Sequence, residues 1–475
     1  MNNGIFLIGA RLIVPVMSMA LTVTMARLLG KEGIGNYASI LALVMVFMGM
    51  STLGIRNIII REVGANRALA GNYFANASFI VFCLSFIAYC MMILYARLNH
   101  YNDTLMNGLY IAGICLIPFS ISYIIESIFI AEAKNKVIFK GSLIQHSFRV
   151  VCSVVALLLG YGLNAVLIVY TISNFVVLLP YAAALKDLGF KHFGISIAFI
   201  KDRIVSFLAI FLLLDVIASI YSRLGVIVLT GECSAASVGL YAAGIGLNVV
   251  IAMIPANIAI AAYPMIASNV TDTNKMKSQI SKSIRHSLIL VLPLVILCFA
   301  FAPELIRLVY GIDFELSATV FRIVLIGDMA LCFSLSFTFI LLATKRQGYE
   351  LSIVAISTGI FFVGLELMIT QYDIFGAAIA STVSLFILMS MQWYTIRKKI
   401  FKPQLIPLIL TFIPVIAIWS ILVILVKLSG LNYMVSIIVL IVLYFMVVFK
   451  SKLITPDEMA LIRSTDIFKK VFVTG

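Results

Sequence analysis

The chain has 475 residues, 63% of them hydrophobic and only 11% charged, with a mean hydropathy of +1.14. That balance excludes an ordinary soluble domain and points to a polytopic membrane protein. The apolar segments are continuous runs of about 20 residues and not ten-residue alternations, which favours a helical bundle over a β-barrel.

Taken in order, fourteen runs bounded by charges, Gly, Pro or Asn are expected to span. They lie near residues 5–29, 37–60, 73–95, 109–131, 141–159, 163–185, 205–230, 240–266, 287–302, 318–343, 351–370, 375–396, 405–427 and 433–449. The first two, 5–29 and 37–60, are each long enough to cross a hydrocarbon core of about 30 Å. Met1-Asn-Asn-Gly-Ile5 offers no basic region before the first run and no small-residue cleavage site, so that run is expected to be a retained helix and not a signal peptide.

Orientation follows from the loops, because Lys and Arg are retained on the cytoplasmic side. With the N-terminus inside, the cytoplasmic loops and tail carry 24 Lys and Arg, among them Lys134, Lys136, Lys140, Lys345 and Arg346; the opposite loops carry six. Both termini are therefore expected to be cytoplasmic. The same asymmetry accounts for most of the net charge of +14, so no nucleic acid need be invoked and anionic lipid headgroups are the simple partner.

The sequence repeats internally. Ala131-Glu-Ala-Lys-Asn-Lys136 aligns at an offset of 211 with Leu342-Ala-Thr-Lys-Arg-Gln347, and Tyr161 then meets Tyr372 and Thr171-Ile-Ser173 meets Thr382-Val-Ser384. This predicts a duplicated six-helix unit whose halves both enter from the cytoplasm. The expected organisation is an N-terminal lobe over 1–185, an interfacial linker over 186–204, a second lobe over 205–396, two added helices over 397–450 and a cytoplasmic tail over 451–475.

Four arginines fall inside spans: Arg11, Arg56, Arg149 and Arg223. A charge near the bilayer centre costs about 2.5 to 3.5 kcal/mol on insertion scales, so such residues face water, a partner or an anion. Snorkelling to headgroups is the alternative for Arg11, Arg56 and Arg149, which lie nearer a surface. The acids inside spans are Glu126, Asp215, Asp328 and Glu366. A carboxylate in such a site can exchange a proton near neutral pH, the chemistry of ion coupling, whereas a structural pair between helices is the competing role. Asp215 and Arg223 share a helix, roughly 12 Å apart along its axis, too far to pair but able to line one cavity. Pro255 and Pro264, in the eighth run, are the expected bend. The seven cysteines show no metal or redox spacing, and the chain has no DxD, GxSxG, Walker or HExxH motif, so neither a cofactor nor an enzyme activity is expected.

Ala26-Arg-Leu-Leu-Gly30 with Gly33-Ile-Gly-Asn-Tyr-Ala38, the Arg56–Glu62 exit from the second run, Val238-Gly-Leu-Tyr-Ala242 and Tyr263-Pro264 together resemble the multidrug, oligosaccharidyl-lipid and polysaccharide exporter superfamily, and within it the Wzx-type O-antigen and polysaccharide flippases. The resemblance implies two six-helix lobes around a cavity open alternately to each side of a bacterial inner membrane. Its implied cargo is a short glycan on undecaprenyl pyrophosphate, moved from the inner to the outer leaflet with ion or proton coupling, with polysaccharide polymerase machinery as a further partner. Cavity arginines are the functional residues it implies, fitting Arg11, Arg56, Arg149 and Arg223; the acids Asp215, Asp328, Glu126 and Glu366 would serve coupling. A multidrug cation exporter of the same superfamily is the alternative and would want an acid-dominated cavity. An unrelated solute carrier and a membrane glycosyltransferase or polymerase are further alternatives.

Overall fold

A computed structural model describes residues 2–52, 54–186, 194–200, 206–402, 405–428 and 433–450; side chains are described for 17–52, 54–186, 194–196, 198–200, 213–402, 410–428 and 435–444. The expected tail, most of the linker and the side chain of Arg11 lie outside the described residues. Those described contain helices and turns and no strand. Among the described residues, eleven segments are long and apolar enough to cross a membrane.

The fourteen expected passes are all present, in a few cases fused or broken. Helix α1 (Asn2–Thr52) is two passes joined at Gly30, whose φ of 67° puts the chain where a β-carbon is penalised. The second pass breaks after Thr52 and resumes, beyond Gly54, as α2 (Ile55–Ala65). Helix α3 (Ala70–Leu98) is the third pass. The fourth is α4 (Asp103–Gly113) and α5 (Leu116–Ala131), the fifth α6 (Asn135–Leu158), and the sixth α7 (Leu163–Val176) and α8 (Leu178–Lys186). The fourth and sixth breaks have one cause: Pro118 and Pro180 lack the N–H that would bond the carbonyls of Ile114 and Val176, so α4 and α7 stop there.

After the short α9 (Ile197–Phe199), the second half repeats the plan with α10 (Ser206–Glu232), α11 (Ala235–Ser268), α12 (Thr273–Ala300), the short α13 (Ala302–Tyr310), α14 (Ser317–Ala343) and α15 (Gln347–Lys399), the last being two passes joined at Asp373. Helix α11 runs unbroken through Pro255 and Pro264, so the expected bend is no interruption. The duplication is visible in the backbone. Positive φ recurs at His100 and Gly311, Ala133 and Lys345, and Gly160 and Asp373, three pairs at corresponding joints of the two halves.

The lobes meet at the end of the bundle that carries Gly30. There α1 crosses α11 backbone to backbone: a β-carbon on Gly35 would stand 1.7 Å from the carbonyl oxygen of Ala235, and one on Gly239 would stand 1.9 Å from that of Lys31. Thr230 donates to Ser39 (2.7 Å) and Arg27 to the carbonyl of Leu308 (3.0 Å) across the same seam. Lipid chains are as apolar as leucine, so such close approaches and inter-helix hydrogen bonds carry the association.

The last two helices, α16 (Leu405–Leu428) and α17 (Tyr433–Lys450), pack on α12, where Pro293 leaves the carbonyl of Ile289 without its helical donor. The hydroxyl of Tyr444 supplies that bond, and the Trp419 indole donates to the carbonyl of Pro293 (3.2 Å). Of the linker, residues 194–200 are described and are tied to the first lobe: Asn76, buried in α3, donates to the carbonyl of Gly194 (2.9 Å) and accepts from the backbone N–H of Ser196 (2.7 Å).

Candidate functional site

Four helices turn the same stripe toward one space. Met45, Met48, Gly49 and Thr52 on α1, Phe119, Ser122, Tyr123 and Glu126 on α5, Ser142, Gln145, His146 and Arg149 on α6, and Asp215, Ala218, Ser219 and Ser222 on α10 all line it. Each set is spaced i, i+3, i+4, i+7, which is one face of a helix. Together with Tyr170 and Asn174 of α7 they enclose a cavity of about 640 Å³. A second space of about 260 Å³ lies toward the Gly30 end, lined by both limbs of α1 and by α6, α10 and α11. Met45, His146, Arg149 and Tyr170 line both, so they are compartments of one cavity.

The two compartments differ in charge. Among the described residues the smaller is lined by Arg149 and Arg223 and by no acidic residue. Arg149 donates from Nε to the hydroxyl of Ser173 (3.0 Å), and its guanidinium lies 4.3 Å from the centre of the Tyr170 ring, on which it stacks. Ser173 in turn donates to the carbonyl of Tyr170 (2.7 Å), which fixes the platform. Among the described residues no carboxylate pairs with Arg149 or Arg223. Two guanidinium groups in a partly enclosed space, with no carboxylate paired to either among the described residues, present planar donor forks of the kind that suits phosphate oxygens.

The larger compartment carries Glu126, Asp215 and Arg149 amid hydroxyls and amides. Glu126 is committed already: Arg56 donates to its Oε2 (2.7 Å) and Tyr181 to its Oε1 (2.9 Å), and Arg56 stacks 4.1 Å from the centre of the Tyr123 ring. Glu126 thus takes the inter-helix pair that sequence reasoning held open as its competing role, and Arg56, for which snorkelling was the alternative, is its partner. Asp215 lines the larger compartment and Arg223 the smaller, so the two share one cavity without touching.

Asp328 lies elsewhere. It is 2% exposed in the second lobe, accepts from Asn248 (3.2 Å), and has its second carboxylate oxygen buried without a partner. A space of about 160 Å³ adjoins it, lined also by Tyr221, Ser381 and Thr382. Glu366 is exposed on α15 and lines none of these three spaces. Sequence reasoning missed Ser122, Gln145, His146, Tyr170 and Asn174; the signal available was the polar stripe of Ser142, Gln145, His146 and Arg149 on an otherwise apolar helix.

A protein-family profile described as "Polysaccharide biosynthesis protein" matches residues 24–319. Among solved structures, the chain is similar to "Lipid II flippase MurJ, inward closed conformation", at 14% identity and a TM-score of 0.75, covering 93% of this chain and 97% of that one. It is also similar to an inward-facing multidrug resistance MATE family transporter of the MOP superfamily, at 13% identity and TM-score 0.64, covering 82% and 97%. A third is a MOP superfamily transporter from Pyrococcus furiosus Vc1, described as having a binding pocket of reverse polarity, at 13% identity and TM-score 0.56, covering 83% and 93%. These likenesses show a MurJ- and MATE-like fold. Comparison with curated protein sequences gives no match.

Proposed function

The chain belongs to the polysaccharide biosynthesis protein family, and from that premise we propose that it is a flippase for a lipid-linked oligosaccharide. The cargo is a glycan repeat unit, such as that of an O-antigen, on undecaprenyl pyrophosphate, carried from the inner to the outer leaflet of a bacterial inner membrane with both termini cytoplasmic. The observation that carries the proposal is the smaller compartment, with Arg149 and Arg223 and no acid among the described residues that line it. A pyrophosphate in a low-dielectric cavity needs charge-assisted donors, because without them its desolvation goes uncompensated. A multidrug cation exporter needs the opposite polarity.

Where the lobes touch supports alternating access. With α1 and α11 closed on each other at the Gly30 end, the headgroup enters from the opposite end while the lipid tail stays in the bilayer between lobes. Parting of that seam, with closure at the other end, releases the headgroup to the outer side. Asp328, buried with a free carboxylate oxygen, and Asp215, on the cavity wall, are the residues assigned to ion or proton coupling.

The test is complementation of a strain lacking this gene, at matched membrane levels, with Arg149→Ala and Arg223→Ala. Surface polysaccharide restored by wild type and lost in both variants is the expected result. Full activity in both variants, or wild-type resistance to cationic drugs without polysaccharide export, overturns the reading.

A further inference from the structure

The larger compartment contains polar groups prepared for a ligand that is not itself an anion. Asn174, 2% exposed, donates to the carbonyl of Tyr170 (2.9 Å) and accepts from Nε2 of Gln145 (3.1 Å). That relay fixes the Gln145 amide, and among the described residues no donor reaches its oxygen, while Gln145 itself lines the compartment. The hydroxyl of Ser122, a residue 7% exposed that lines the compartment from α5, is buried with no hydrogen-bond partner among the described residues. A buried polar atom left unpaired costs about 1–3 kcal/mol, which a bound hydroxyl or amide can recover.

Charge narrows the ligand further. Glu126 is neutralised by Arg56, but Asp215, which has no ion-pair partner among the described residues, also lines this compartment, so a carboxylate-bearing ligand meets like charge there, whereas a neutral polyol does not. Met45, Met48 and Phe119 add apolar surface beside the hydroxyls. Uncharged donors and acceptors interleaved with apolar faces match a saccharide. Arg149 sits on both walls, so a sugar in the larger compartment would be bonded directly to a pyrophosphate held in the smaller one.

We infer that the larger compartment is the saccharide subsite, that it takes the neutral sugar joined directly to the pyrophosphate, and that Gln145 and Ser122 are its specificity residues. The inference rests on the flippase reading above. It concerns which sugar is read and where, and leaves the arginines to hold the carrier.

Equilibrium binding to the purified full-length protein in nanodiscs separates the two. The probes are undecaprenyl pyrophosphate alone and the same carrier bearing one neutral hexose, one N-acetylhexosamine or one hexuronic acid. Wild type is expected to bind at least one neutral-sugar carrier about tenfold more tightly than the bare carrier, the equivalent of one to two hydrogen bonds, and to gain nothing from the uronic acid. Gln145→Ala, Gln145→Met and Ser122→Ala are expected to erase that gain while binding the bare carrier as wild type does and melting at the same temperature. Equal weakening of bare and sugar-bearing carriers in these variants, an undiminished gain, or a preference for the uronic acid overturns the subsite assignment alone. Failure of wild type to bind the bare carrier any better than the Arg149→Ala/Arg223→Ala double variant overturns the flippase reading and the subsite with it.

Discussion

The glycine seam between α1 and α11 gives the sharpest prediction. In Gly239→Ala the new methyl group would lie 1.9 Å from the carbonyl oxygen of Lys31, and in Gly35→Ala 1.7 Å from that of Ala235. Both obstacles are backbone, so no side chain can swing away; the helices must part by more than 1 Å, undoing the contact that closes this end. Overpacking costs about 1–3 kcal/mol, and a rigid backbone neighbour puts these cases at the upper end. At about 1.4 kcal/mol per factor of ten, the closed state is disfavoured roughly 100-fold relative to the one in which the lobes are apart. Spin labels at Glu32→Cys and Glu232→Cys, exposed on opposite lobes beside the seam, report the change in a cysteine-free background. Electron–electron resonance distances should shift from a short to a long population, with export lost. Gly64→Ala, where an added β-carbon meets nothing within 4 Å, should leave the distances unchanged. Short distances retained in folded Gly239→Ala, or an equal shift in Gly64→Ala, would refute the reasoning.

Three further outcomes test the fold around the site. Tyr444→Phe removes the donor to the carbonyl that Pro293 leaves unpaired and should cost about 1 kcal/mol; in a Pro293→Ala background, where the helical N–H returns, the same change should cost almost nothing by thermal unfolding in detergent. Glu126→Gln leaves Arg56 half-buried without its counter-charge and should destabilise by about 1–2 kcal/mol, with the Arg56→Gln/Glu126→Gln double variant recovering part of the loss. Asn76→Ala removes the side chain that holds Gly194 and Ser196 against α3, and limited proteolysis should cut within residues 194–200 several times faster without a change in the midpoint of global unfolding.

By itself the sequence determined the number of passes, because bilayer thickness sets the length of an apolar run, and it determined the duplication, which returns in the backbone as positive φ at His100 and Gly311, and at Ala133 and Lys345. It also marked Arg149, Arg223 and Asp215, because a charge inside a span is costly enough to demand a reason. Only the tertiary structure decided what each reason was. Arg56 and Arg149 read alike in sequence, yet one is bound to Glu126 and the other stacks on Tyr170 with no acid against it, a difference fixed by which helices are neighbours. Asp328 and Glu366, equally conspicuous in apolar runs, part company as a buried acceptor of the Asn248 amide and an exposed residue of α15. Gln145, Asn174 and Ser122 carried no such flag, since uncharged polar residues are tolerated almost anywhere in a membrane helix. Their roles emerge only when four stripes of the same spacing face one another across a single cavity.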